Sequence, residues 1–95
     1  MQKLAQPAGG KPPRHTVFVV QPFEIKRRGR STGLAPTTAL AARDEAHARL
    51  LLERAPHRTG VVGAVAFSRS GDPESGDYDE PVILGKIGDV PDELI

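Results

Sequence analysis

Apolar residues fall along this chain in three different rhythms. Between His15 and Ile25 (HTVFVVQPFEI) they alternate, with Val17, Val19, Gln21 and Phe23 on one side of an extended chain and Phe18 and Val20 on the other. Thr16, Val17, Phe18, Val19 and Val20 are β-branched or aromatic, which predicts a strand. Pro22 has no N–H to give to a ladder, so it marks an edge position, a bulge or the strand's end. From Arg43 to Ala55 the spacing becomes i, i+3, i+4, i+7, through Ala48, Leu51, Leu52 and Ala55, and predicts a helix. Asp44 and Glu45 in its first turn and Arg54 in its last suit the helix dipole, Glu45 and Arg49 form an i,i+4 pair, and Pro56 stops it. Ala46 and Leu50 extend the pattern into a second stripe that shares Leu51. Leu51 is therefore expected to be the most buried residue of a helix covered on more than one side.

The third rhythm is no rhythm. From Val61 to Ser68 both sides of an extended chain are apolar, with Val61, Gly63, Val65 and Phe67 against Val62, Ala64 and Ala66. Such a segment reads as a central strand buried on both faces. Gly63 and the alanines allow a close neighbour, most simply the helix.

The connecting segments complete the order. Met1–Arg14 is rich in proline, glycine, glutamine and alanine and reads as a disordered arm. Residues 26–33 (KRRGRSTG) read as a basic turn or hairpin loop. Residues 34–42 (LAPTTALAA) fit a second strand, or an early helix start with Pro36 in the first turn. The strand is preferred because a hairpin then joins two antiparallel neighbours. Residues 69–80 (RSGDPESGDYDE) form an acidic loop with turn chemistry twice over. Residues 82–87 form the last strand, ended by Gly88, Asp89 and Pro91, and 92–95 are a tail. The expected fold is a small α+β domain over residues 15–91: β-β-α-β-β, a four-stranded antiparallel sheet with one helix on one face. One helix shields only one face, and the third strand is apolar on both. A second copy is therefore expected on the other face, giving a two-fold dimer, with Val62, Ala64, Ala66 and Phe67 as the interface and Tyr78 as a possible further anchor.

Composition sharpens this picture. With 95 residues, three Phe, one Tyr and no Trp, the core must come from Val, Leu, Ile and Ala. So small a core makes help from a partner more plausible. No cysteine is present, which excludes disulfides and thiolate metal sites. No run approaches the roughly 18 apolar residues of a membrane span, and proline and glycine follow Lys3 where a signal peptide would be apolar. A cytoplasmic protein with no membrane association is expected. Charge is split along the chain. Residues 1–58 carry eleven Lys/Arg and four Asp/Glu, and residues 59–95 carry two and eight. The halves invite either contact between copies or an anionic partner on the basic side.

Candidate chemistry is sparse. Lys26, Arg27, Arg28 and Arg30 form a basic cluster able to contact phosphates or an acidic protein surface, but no aromatic is interleaved to stack on bases. Asp72, Glu74, Asp77, Asp79 and Glu80 offer oxygens to a cation such as calcium without the spacing of an EF-hand. His15, His47 and His57 show no metal-ligand spacing, Ser68 and Ser70 lack a nucleophile-elbow setting, and Gly60–Gly63 matches no phosphate-binding loop. No catalytic residue, metal site or cofactor is expected.

The run GVVGAVAFSRSGDPESGDYDEPVIL, with VFVVQPF upstream and DEAHARLL between, resembles a family of short bacterial reading frames with no assigned activity. The likeness spans about His15 to Pro91 and implies a free-standing small bacterial protein. The expectation for function is a noncatalytic protein-interaction or structural module that self-associates. The alternative is a binder of nucleic acid or another polyanion through residues 26–30.

Overall fold

The computed structural model describes residues 15–92. The arm at 1–14 and residues 93–95 of the tail lie outside the described residues. Six strands and one helix follow in order: β1 (His15–Arg28), β2 (Ser31–Pro36), β3 (Leu40–Ala42), α1 (Glu45–Arg54), β4 (Val61–Asp72), β5 (Asp77–Tyr78) and β6 (Val82–Gly88). A 3₁₀ turn, Ala55–His57, follows the helix. All pairings are antiparallel. β1 and β4 are the two central strands. β2 and β3 share the outer lane beside β1, and β5 and β6 share the outer lane beside β4. The expected four strands are thus six strands in four lanes, because each outer lane is interrupted once. The result is one small domain, mainly a strongly curled sheet with a helix.

Two expected loops are ladder instead. β1 runs on through Lys26, Arg27 and Arg28, which pair with Gly33, Thr32 and Ser31. Two residues, Gly29 and Arg30, make the turn, and Gly29 takes a left-handed φ of +58° that costs glycine little. The acidic segment likewise forms the end of β4, a four-residue turn and β5, with Asp72 opposite Asp77. The Asp72 carboxylate accepts the Glu74 N–H at 2.9 Å, a side-chain turn that fixes this reversal.

Pro22 lies inside β1 rather than at its end, where the outer lane passes from β2 to β3. Its carbonyl accepts the Thr37 N–H at 3.0 Å. In an extended strand a residue's N–H and C=O point the same way, so the missing proline N–H would face the Thr37 carbonyl. The Gln21 side chain fills the gap: its Nε2 donates to Thr37 O at 2.7 Å and to Pro22 O at 2.9 Å. A polar residue on an otherwise apolar side of β1 is thereby explained.

One face of the sheet carries α1. Val20 on β1 and Ala64 and Ala66 on β4 are buried against Ala48, Leu52 and Ala55, with Phe18, Leu40, Ala42, Val61 and Leu84 packed around them. Asp44 caps the helix, its Oδ1 accepting the His47 N–H at 2.8 Å, while His47 Nδ1 accepts the Arg43 N–H at 3.0 Å. Glu45 and Arg49 form the expected pair, Nη2 to Oε2 at 2.8 Å. Two expectations for the helix fail. Leu51 is only half-buried while Ala48 and Leu52 are buried, and Ala46 and Leu50 face outward. The helix is covered on one side, so its second stripe is solvent-facing.

Gly63 also has a different neighbour from the one expected. A Cβ there would collide with the backbone of Asp89, not with the helix. The chain leaving β6 crosses the start of β4 at this point, held by the Asp89 N–H to Val62 O bond at 3.0 Å. Two substitutions test these devices by chemical denaturation. Gln21→Leu strands the Thr37 carbonyl and is expected to cost about 1–2 kcal/mol. Gly63→Ala must displace the Asp89 crossing and is expected to cost about 1–3 kcal/mol; an unchanged midpoint in either variant contradicts the corresponding contact.

Candidate functional site

The sheet face opposite α1 carries an apolar groove of about 430 Å³. The strand alternation that sends Val20, Ala64 and Ala66 to the helix sends Phe23, Val65 and Phe67 here, where they form the floor. Leu34 and Pro36 come from β2, Ile83 from β6 and Pro81 from the segment before it. Pro91 closes one side after the chain has crossed at Gly63. Among the described residues Gln21 is the single polar lining residue, and its amide is committed to Thr37 and Pro22. No described lining residue is titratable, so the described lining presents shape and apolar surface rather than acid, base or nucleophile. On the same side, Ile25 is 54 % exposed and Val17 45 %.

Curling of the sheet and the Asp89–Pro91 segment together bury Val65 at the groove floor without a second chain. Phe67 and Ile83 nearer the rim are only partly covered. A second hollow of about 440 Å³ adjoins at Leu34, and Thr32, Lys86, Asp89 and Asp92 give it a polar rim.

The residues expected at an interface are split by this geometry. Ala64 and Ala66 are fully buried beneath the helix and cannot take part. Phe67 lines the groove, and Val62 lies at the irregular pairing between β1 and β4 with its carbonyl bonded to Asp89. Tyr78 stands at the acidic end under the Arg69 guanidinium, 5.4 Å from the ring centroid, and Arg69 Nε donates to Asp79 O at 3.3 Å. Val65, Ile83 and the three prolines were missed. Their signal was Pro36, Pro81 and Pro91, which edge one apolar face without filling it.

Lys26, Arg27, Arg28 and Arg30 occupy the β1–β2 hairpin tip, all exposed. Alternation places Arg27 on the groove side and Lys26 and Arg28 on the helix side. The one ion pair at this tip among the described residues is Lys26 Nζ to Glu24 Oε1, at 4.0 Å. The acidic residues 72–80 form the β4–β5 hairpin, and no three carboxylates or imidazoles converge as metal ligands among the described residues. His15 and His57 are exposed, while His47 serves the helix cap. No described helix is long and apolar enough to cross a membrane. A scan against protein families finds no match for this chain, and searches of curated proteins and of solved structures likewise find none.

Proposed function

We propose that this chain is a noncatalytic interaction module whose working surface is the groove face of its sheet, and that the occupant is a second copy of the chain. The observation that carries this reading is the groove itself, a concave surface with no titratable side chain among its described lining residues, flanked by the exposed side chains of Ile25 and Val17. The sheet centre on the helix side is already covered by α1, whereas the groove on the opposite side is open to a further apolar surface. A core of eight buried apolar side chains among the described residues, four of them alanine, leaves the chain much to gain from association. Ile83→Lys tests this, since Ile83 lines the groove yet is 39 % exposed, so the substitution leaves the core intact. Sedimentation at micromolar concentration is expected to give a wild-type dimer and, for the variant, affinity at least about tenfold weaker, an effect of roughly 1.4 kcal/mol. A monomeric wild type at the highest soluble concentration overturns the reading.

A second reading rests on the basic hairpin tip. Arg27, Arg28 and Arg30 project from it with no ion-pair partner among the described residues, which suits a nucleic acid or another polyanion. Titration of duplex and single strands at low salt, with Arg27→Ala/Arg28→Ala alongside, tests it. Binding that weakens in the variant and falls steeply with salt supports it; binding indifferent to both, or none, removes it.

A further inference from the structure

β6 is an open edge of the sheet. Among the described residues it pairs with β4 and with no other strand. The opposite rim offers less: β2 ends at Pro36, and β3 is three residues long. β6 runs for seven residues, Val82–Gly88, with no proline. It also carries large apolar side chains that the fold leaves uncovered, Val82 at 59 % exposure, Ile83 at 39 % and Ile87 at 36 %. They point to both faces. Val82 lies opposite Ser68 and Ile87 opposite Ala64, on the helix side, while Ile83 lies opposite Phe67, on the groove side. A molecule stacked on either face reaches only some of them. A strand laid along the rim reaches them all.

The ladder shows which backbone groups of β6 face outward. The Asp89 N–H donates to Val62 O at 3.0 Å, and bonded pairs alternate along an antiparallel ladder. Ile87 and Gly85 therefore bond to β4, and Lys86 turns its N–H and C=O outward. The same alternation on β4 makes Val82 bond to Ser68 and turns Ile83 outward. Between them Leu84 is the extra residue of a bulge, where pairing steps from Ala66–Gly85 to Phe67–Ile83. Leu84 and Gly85 consequently lie on one side: Leu84 packs on the core beneath α1, and a Cβ on Gly85 would meet Leu52 Cδ2 at 3.1 Å.

The bulge selects the neighbour. A regular strand beside β6 stays in step on one side of the bulge only, and Lys86 further guards the rim. A strand with an extra residue at the same level stays in step throughout. We infer that β6 pairs edge to edge with β6 of a second copy, antiparallel, about a two-fold axis at the level of Leu84 and Gly85. That register sets Val82 against the partner's Ile87, Ile83 against the partner's Lys86 and Leu84 against the partner's Gly85. Each pair shares a face of the joined sheet, and Ile83 and the partner's Lys86, both turned outward, exchange N–H···O bonds. An axis through Lys86 would instead set two ammonium groups opposite each other. This contact uses the rim of the sheet and leaves the groove open, so it stands apart from groove association; a chain making both contacts forms a tetramer.

Residue-by-residue amide hydrogen exchange, with sedimentation on the same samples, tests the edge pairing. The Ile83 and Lys86 amides are expected to exchange at least about tenfold more slowly in concentrated wild type than at the dilution where the chain is monomeric. Lys86→Pro removes an outward N–H that β4 does not use, and is expected to leave the Ile83 amide open at every concentration. Lys86→Ala keeps that N–H and is expected to protect Ile83 as wild type does. Val82→Lys sets a charge against the partner's Ile87 without touching the groove, and is expected to open Ile83 as Lys86→Pro does. An associated wild type whose Ile83 and Lys86 amides exchange as in the monomer, or Ile83 protection that survives both Lys86→Pro and Val82→Lys, overturns the edge pairing while leaving the groove reading intact. A wild type that stays monomeric at the highest soluble concentration overturns both. Dichroism spectra and thermal midpoints matching wild type establish that each variant is folded.

Discussion

The structure depends on one constraint: β4 is apolar on both faces and the chain supplies a single helix. Ala64 and Ala66 spend one face on α1, where their small side chains let Ala48 and Ala55 come close. The other face, at Val65 and Phe67, has to be covered by something else. The sheet answers by curling and by sending Asp89–Pro91 back across the start of β4, which is why Gly63 has no room for a side chain. That answer buries Val65 and leaves a groove above it.

The same constraint accounts for features that look unrelated. Pro22 sits within β1 because the outer lane is broken at its level, and Gln21 is polar because it supplies the donor that Pro22 lacks. The charged hairpins project at the two ends, away from the apolar centre. A chain with a small core, one sheet face under a helix and one apolar groove face has its remaining means of burial on that second face.

Much of this was legible in the residues. The β1 alternation correctly separated Val17, Val19, Gln21 and Phe23 from Phe18 and Val20, and the unbroken apolar run at 61–68 correctly marked a central strand. Residues 34–42 are extended rather than helical, but as the end of β2 and the whole of β3 with a break at 37–39 instead of one strand. What failed were places where charged residues continue a ladder. Lys26–Arg28 and Arg69–Asp72 alternate like strand residues but carry no apolar signal, so their hairpins read as loops. Leu51 was overrated because two stripes on a helix were taken to mean two covering surfaces, although only one surface exists. For the groove, periodicity identified the apolar face. The curl and the C-terminal crossing arise from irregular pairing at Phe23/Glu24 and Ala66/Phe67 and from Gly63, none of which has a periodic signature.

The central claim is that this chain alone buries the centre of the sheet face under α1 and covers the other face only in part. Methyl NMR with a soluble paramagnetic probe tests it most directly, by comparing Val20 and Leu52 with Ile83 and Ile25 across a dilution series. The account predicts Val20 and Leu52 shielded at every concentration, and Ile83 and Ile25 broadened when dilute and shielded when concentrated. Val20 or Leu52 broadened when dilute, or Ile83 and Ile25 shielded even when dilute, would contradict it.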